Sequence, residues 1–280
     1  MKKFLVIANN DKQETTDIAA KIEEYIALHN GIYKIINGYV KEDMVDKDTE
    51  CIIVLGGDGT LLLAARSLVE LNIPFIGINC GNLGFLSEST PDMIDETLEK
   101  LLKNMYTLEK RMMLTGKIIR DGKVISEDIA LNDIVINRGG LLRVIDFDIY
   151  VNEMKLNKYK ADGMIISTPT GSTAYSMSAG GPIVKPSASL ILLTPICPHT
   201  LNTRSIILDS DDVVDIVVKN KRNVENDIRF AYFDGDRAVS LMNGDRISIS
   251  KSKISTKIIK LSSKSFIEIL KRKMSDNEDS

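Results

Sequence analysis

Apolar positions in the first hundred residues follow two alternating rhythms. Lys3–Ala8, Cys51–Leu55 and Pro74–Asn79 are short apolar runs, each followed within a few residues by Asn or Gly, and they read as buried strands. Between them the period lengthens. Ile18, Ile22 and Ile26 recur four residues apart within Asp17–Leu28. Leu61–Leu71 is rich in Leu and Ala, and Pro91–Lys103 carries Ile94, Leu98, Leu101 and Leu102 on one face. Each of these segments reads as a helix. Strand, helix, strand, helix predicts a parallel sheet covered by helices.

The rhythm changes near Lys110. From Met112 onward, β-branched runs crowd together with tight turns between them. Asp121-Gly122, between Lys117–Arg120 and Lys123–Ile125, predicts a hairpin. Gly139-Gly140 separates Ile134–Asn137 from Leu142–Tyr150, and further runs follow at Val213–Val218, Ile228–Phe233, Ile247–Ser250 and Ile258–Leu261. Lys251, Lys253 and Lys257 alternate with apolar or hydroxyl residues, as on an edge strand. Ser263–Lys273 has the pattern of a short amphipathic helix. The expected fold is an α/β N-terminal domain with a parallel sheet over residues 1–110, then a β-rich second domain over 111–261. A helix follows within 262–273, and 274–280 is a frayed tail.

Composition narrows the function classes. At ~150 residues per domain, 280 residues make one large domain or two small ones. Hydrophobic residues at 44% and charged residues at 27% are ordinary for a globular chain. A net charge of −3 lacks the basic field of a nucleic-acid binder, so no nucleic-acid partner is expected. Cys51, Cys80 and Cys197 are too few and scattered for a disulfide framework and read as reduced thiols. The apolar run after Met1-Lys2-Lys3 stops at Asn9-Asn10-Asp11, too short for a signal peptide. The longest apolar stretch, near Leu190–Leu193, falls far below the ~20 residues that cross a bilayer. A cytoplasmic location with no membrane contact is expected.

Three segments carry candidate chemistry. Gly56-Gly57-Asp58-Gly59-Thr60 follows a strand and opens a helix. Glycines let a ligand approach the backbone, and a helix N-terminus offers unpaired N–H groups, a combination that suits phosphate. Asp58 would repel phosphate unless it holds Mg²⁺ or accepts a proton from an attacking hydroxyl. The plainer reading is a turn with Asp58 as helix N-cap. In Leu131-Asn132-Asp133-Ile134, an amide and a carboxylate between apolar residues can grip sugar hydroxyls or a purine edge, or simply form a turn or β-bulge. The third segment, Asp162–Pro182, runs from a strand into a loop with six Ser/Thr side chains between Ser167 and Ser176, and with Tyr175. It suits a polar, ring-containing ligand, or is a flexible Ser/Thr loop. A Cys-x-His unit at Cys197–His199 without two further ligands is poor evidence for zinc.

These segments, followed by Pro195-Ile196-Cys197-Pro198-His199-Thr200-Leu201, stand in the order seen in NAD kinases of bacterial type, and residues 50–240 resemble that family. The Gly-Gly-Asp-Gly-Thr element also occurs in phosphofructokinases and lipid kinases; the Thr-Pro-Thr-Gly-Ser-Thr-Ala-Tyr block with Asn132-Asp133 is far more specific. The resemblance implies transfer of the ATP γ-phosphoryl group to the 2′-hydroxyl of the adenosine ribose of NAD, with a divalent cation such as Mg²⁺ that no protein side chain is assigned to hold. It implies Asp58 as proton acceptor and Gly56, Gly57, Gly59 and Thr60 as the phosphate loop. It implies NAD contacts from Gly59, Asn132, Asp133, Arg143, Lys160 and Asp162, from Thr173, Ala174, Tyr175, Ser176, Met177 and Ser178, and from Asp234. Asn79 and Phe85, in the family's second glycine loop, are possible lining residues. Leu63 stands where some relatives carry Arg, so no phosphate contact is expected there. The family fold returns its chain end to the first domain, places the active site between domains, and completes it with a neighbouring subunit of a homodimer or homotetramer.

Overall fold

The apolar runs of the first hundred residues become the strands of one parallel sheet. The computed structural model describes residues 1–8, 13–81, 84–139, 144–199, 204–219, 228–261 and 265–275. The chain divides into two units: Met1–Arg111 with Thr256–Ser280, and Met112–Ser255. In the first, β1 (Lys3–Ala8), α1 (Gln13–Leu28), β2 (Ile32–Asn37), β3 (Cys51–Leu55), α2 (Asp58–Leu68), β4 (Phe75–Ile78) and α3 (Ile94–Leu102) alternate. The sheet order is β2-β1-β3-β4, with Phe4 opposite Tyr33 on one side and Cys51 on the other. Ile18, Ile22 and Ile26 of α1 and Ile94, Leu98 and Leu101 of α3 are buried in one cluster with Val6, Ile53 and Ile76. From β1 the chain moves to one edge, and from β3 towards the other. The order therefore reverses between β1 and β3, the point where open α/β sheets leave a crevice at their carboxyl ends. Strand β2 has no counterpart among the sequence runs above. Its edge position leaves Lys34 and its neighbours partly exposed, which hides the apolar pattern.

The second unit is antiparallel. β5 (Thr107–Arg120) enters it and turns at Asp121-Gly122, with φ of 50° and 75°, into β6 (Lys123–Ala130), as the hairpin signal predicts. There follow β7 (Asp133–Gly139), β8 (Ile145–Val151), β9 (Met154–Ala161), β10 (Gly163–Ser167), the single turn α4 (Tyr175–Ser178), β11 (Leu190–Ile196), β12 (Ile206–Asp209), β13 (Val214–Lys219), β14 (Ile228–Phe233), β15 (Arg237–Leu241) and β16 (Arg246–Lys260). One sheet runs β12-β11-β10-β7-β14-β15, and β16-β13-β8-β9 forms a second ladder. Ile134, Ile136 and Phe233 from the first and Phe147, Ile149 and Ile216 from the second are buried in one cluster. Each such side chain contributes roughly 1.5–3 kcal/mol of transfer free energy.

Ile247–Ser250 and Ile258–Leu261 are not two strands, as read from the sequence, but the two ends of β16. This strand pairs with β13 at Val214↔Ile249 and with β4 at Ile258↔Phe75, so it is no edge strand. The last helix, α5 (Phe266–Ser275), carries a reciprocal cap: Ser265 N–H donates to Glu268 Oε2 at 2.7 Å and Glu268 N–H to Ser265 Oγ at 3.3 Å. Among the described residues, no helix is long and apolar enough to cross a membrane.

Candidate functional site

β3 is buried throughout and ends at Gly56-Gly57, where α2 begins. Gly57, not Asp58, is the N-cap, and no side chain caps the helix, which overturns the plainer reading of Asp58 as a cap. Thr60 N–H already donates to the Gly57 carbonyl at 3.1 Å, while the N–H groups of Asp58 and Gly59 precede the helix's own ladder of hydrogen bonds. Gly57 and Gly59 are exposed, and a Cβ at either would meet nothing within 4 Å. The backbone of this turn is open to a ligand.

Asp58 faces the loop after β4 instead. Its Oδ2 accepts the Phe85 N–H at 2.7 Å, and its Oδ1 accepts the Leu86 N–H at 3.2 Å and the Ser87 hydroxyl at 3.4 Å. The approach is so close that a Cβ on Gly84 would lie 1.8 Å from Asp58 Oδ1. Neighbouring β3 and β4 thus lead into two loops joined by one carboxylate. The Phe85 ring packs against Phe266 of α5, with centroids 6.4 Å apart, and Lys273 Nζ lies 5.5 Å from its centroid. Asn79 is 2% exposed, and its Oδ1 accepts the Gly81 N–H at 3.1 Å. Leu63, on the outer face of α2, is 40% exposed.

Arg111 was missed. Lys110-Arg111 reads in sequence as a solvated basic pair, yet Arg111 is 3% exposed. Its Nε stands 2.7 Å from Glu109 Oε1 but outside hydrogen-bonding geometry, and Nη1 also lacks a partner. Burial lowers its pKa, while the charges of Glu109, Glu88 and Asp58 oppose that shift. Glu88 pairs with Lys260 and accepts the Leu261 N–H at 3.0 Å. The signal that could have revealed Arg111 is the period of two in β5, which puts Glu109, Arg111 and Met113 on one face.

In the second unit, Asp133 opens β7 and is 5% exposed. Burial first, and then the charge of Asp234, push its carboxyl up to about 7. Asp234, at φ 51°, accepts N–H groups from Leu131 at 2.8 Å, Asn132 at 2.7 Å and Asp133 at 3.1 Å, and donates its own N–H to the Asp133 carbonyl at 3.0 Å. One carboxylate thereby fixes the Asn132-Asp133 turn.

The hydroxyls of the Ser/Thr block divide into inward and outward sets. Thr168 Oγ1 donates to the Leu131 carbonyl at 2.6 Å, Ser172 Oγ to that of Pro169 at 2.7 Å, and Ser176 Oγ lies 3.1 Å from Thr194 Oγ1; all three side chains are buried. The block is a folded scaffold, not a flexible loop. Thr173 and Ala174 are half-buried; Tyr175, Met177 and Ser178 are exposed. Asp162 pairs with Arg138 at 2.9 Å, and Lys160 is exposed on β9. Arg143 lies outside the described residues. Cys51, Cys80 and Cys197 are free thiols.

Residues 37–106 match the ATP-NAD kinase N-terminal domain family, and residues 131–261 the ATP-NAD kinase C-terminal domain family. The chain is 45% identical to the NAD kinase of Lachnospira eligens over 98% of its own length and 100% of the relative's. It is 41% identical to the NAD kinase of Lachnoclostridium phytofermentans over 99% and 100%. Its fold is that of the yeast NADH kinase crystallised with NADH (TM-score 0.83, 24% identity, 95% of this chain and 85% of that one). It is also that of an Archaeoglobus fulgidus NAD kinase crystallised with ATP (TM-score 0.76, 23% identity, 93% and 94%).

Proposed function

The chain belongs to the NAD kinase family, and on that premise we propose how its residues divide the reaction. The enzyme transfers the γ-phosphoryl group of ATP to the 2′-hydroxyl of the adenosine ribose of NAD, yielding NADP. The triphosphate lies along the open backbone of Gly57–Thr60 at the start of α2, where N–H groups and helix dipole favour anions. Asp58 is the proton acceptor. The observation carrying this reading is that Phe85, Leu86 and Ser87 occupy three of the roughly four acceptor positions of the carboxylate. They hold it fixed and leave one position for a single hydroxyl.

Phosphoryl transfer asks for alignment and charge stabilisation. A carboxylate is a much weaker base than an alkoxide, so Asp58 orients the ribose hydroxyl and takes its proton late. The ribose oxygen bonds to phosphorus, the bond from phosphorus to the ADP oxygen breaks with its electron pair leaving on ADP, and the proton passes to Asp58. Such general-base help amounts to ~10²–10⁴-fold. Among the described residues, no three His, Cys, Asp or Glu side chains gather into a ligand set. A divalent cation such as Mg²⁺ would arrive on the triphosphate, its usual mode of binding, and would offset phosphate charge there.

The dinucleotide is held by Asn132, Asp133, Asp162 and the segment Thr173–Ser178, with Lys160 and Arg143 contributing charge and Asp234 holding the Asn132-Asp133 turn in place. We propose further that the enzyme is cytoplasmic and works as a homodimer or homotetramer whose sites a neighbouring subunit completes.

The test is direct. Purified protein with NAD, ATP and Mg²⁺ should yield product that an NADP-specific dehydrogenase reduces, and omitting any one of the three should stop it. No product at any protein concentration would refute the assignment.

A further inference from the structure

The loop that fixes Asp58 is itself held, on both sides, by the last segment of the chain. Phe85, Leu86 and Ser87, the three donors to the carboxylate, lie between two such contacts. Just after Ser87, the Glu88 carboxylate, its side chain 3% exposed, pairs with Lys260 at the end of β16 and accepts the Leu261 N–H at 3.0 Å. At the other end, the Phe85 ring meets Phe266 and Lys273 of α5, with centroids 6.4 Å apart and Nζ 5.5 Å from the ring centre. Both distances fall within the ranges of aromatic pairing and of cation–ring attraction. All of these residues belong to the first unit.

Phe266 is placed for its contact by the start of the helix. It is the first residue of α5, next to Ser265, whose reciprocal cap with Glu268 sets where the helix begins. Lys273 follows two turns later and so returns to the same face. Farther along, α5 stands off the loop. A cavity of about 530 Å³ lies between Glu268, Ile269 and Arg272 on one side and Gly84, Ser87 and Glu88 on the other. The ring contact bridges this gap. It bears on the residue whose N–H makes the shortest of the three bonds to Asp58, 2.7 Å to Oδ2. Ring and N–H share one Cα, so a ring held by α5 restricts where that N–H can point.

We infer that Phe266 is a positioning residue for phosphoryl transfer, acting on Asp58 through the ring and N–H of Phe85. The inference rests on the reading of Asp58 as proton acceptor. It makes turnover depend on where α5 sits, although helix and carboxylate lie far apart in the sequence.

Phe266→Ala removes the ring and Phe266→Tyr keeps it; each is made in the full-length chain, alone and with Asp58→Asn. A misplacement of about 1 Å can cost ~100-fold in rate, so kcat should fall about tenfold or more in Phe266→Ala. It should stay near parental in Phe266→Tyr, and the KM for ATP and for NAD should hold in both. With Asp58→Asn already present, Phe266→Ala should cause no further loss, because both act through one carboxylate. Losses that multiply, or a parental kcat in folded Phe266→Ala, would overturn the inference and leave the role of Asp58 standing. A parental kcat in Asp58→Asn alone would overturn both. Amide exchange across Phe85–Glu88, followed by mass spectrometry, reads the same contact without turnover. It should quicken in Phe266→Ala and stay parental in Phe266→Tyr; equal protection in the parent and both variants would refute the inference. If Phe266→Ala fails to fold, Phe266→Leu, which keeps apolar bulk and loses the ring, is held to the same outcomes.

Discussion

Asp133 is a carboxyl group in a place that favours its neutral form. Buried, and near the Asp234 charge, it has a pKa pushed up to about 7, so folding favours the protonated state. The sign follows from linkage. Stability from this group is complete below its unfolded value near 4 and is lost as pH rises through 7. The loss is of the order of 4 kcal/mol, and even a quarter of that lowers Tm by ~2–4 °C in a chain of this size. Thermal melts of the parent should therefore fall between pH 5 and pH 8, and those of Asp133→Asn should fall less over the same range. Equal pH slopes in the two proteins would show that Asp133 is charged in the fold. Gly84 makes a second prediction at this scale. A methyl group 1.8 Å from Asp58 Oδ1 cannot be accommodated, so Gly84→Ala should push the Phe85–Ser87 loop off the carboxylate. We expect kcat to drop about a hundredfold or more, the low end of general-base assistance, with NAD binding close to parental by titration. Parental kcat would mean that the loop does not orient Asp58. Sequence made the candidate residues visible because polar groups between apolar runs need partners. It did not reveal which way each side chain points: Ser172 and Ser176 face the interior, while Tyr175 and Met177 face out.

Elements were legible in proportion to their burial. β1, β3 and β4 are buried along their lengths and stand out as apolar runs; β2, half exposed, does not. β16 was split because Lys251–Lys257 interrupts its apolar pattern, although its backbone pairs on both sides of that break. The Asn132-Asp133 turn was visible as an oddity, but its cause lies about a hundred residues away in Asp234, and no local pattern encodes such a partner. That clamp predicts a stability effect. Asp234→Ala leaves three N–H groups without their acceptor and should cost about 3 kcal/mol by denaturant titration. Asp234→Asn, which retains one acceptor oxygen and tolerates the left-handed backbone, should cost less. Equal losses in the two variants would show that the hydrogen bonds are not the source.

For the whole molecule, the alternation of strands and helices before Lys110 and the crowded β-runs after it predicted an α/β unit followed by a β-rich one, and the fold agrees. The number of chains that assemble was not legible, since one chain's pattern does not separate a face covered by a copy from one covered by water. Light scattering should give a mass two or four times 31.1 kDa, and a monomer with full turnover would exclude shared sites. The central claim is that Asp58 takes the proton of the ribose hydroxyl as that oxygen captures phosphorus. The most direct measurement is kcat and the NAD dissociation constant of Asp58→Asn beside the parent. The account predicts a kcat lower by ~10²–10⁴ with a dissociation constant near parental; comparable kcat in the two proteins would contradict it.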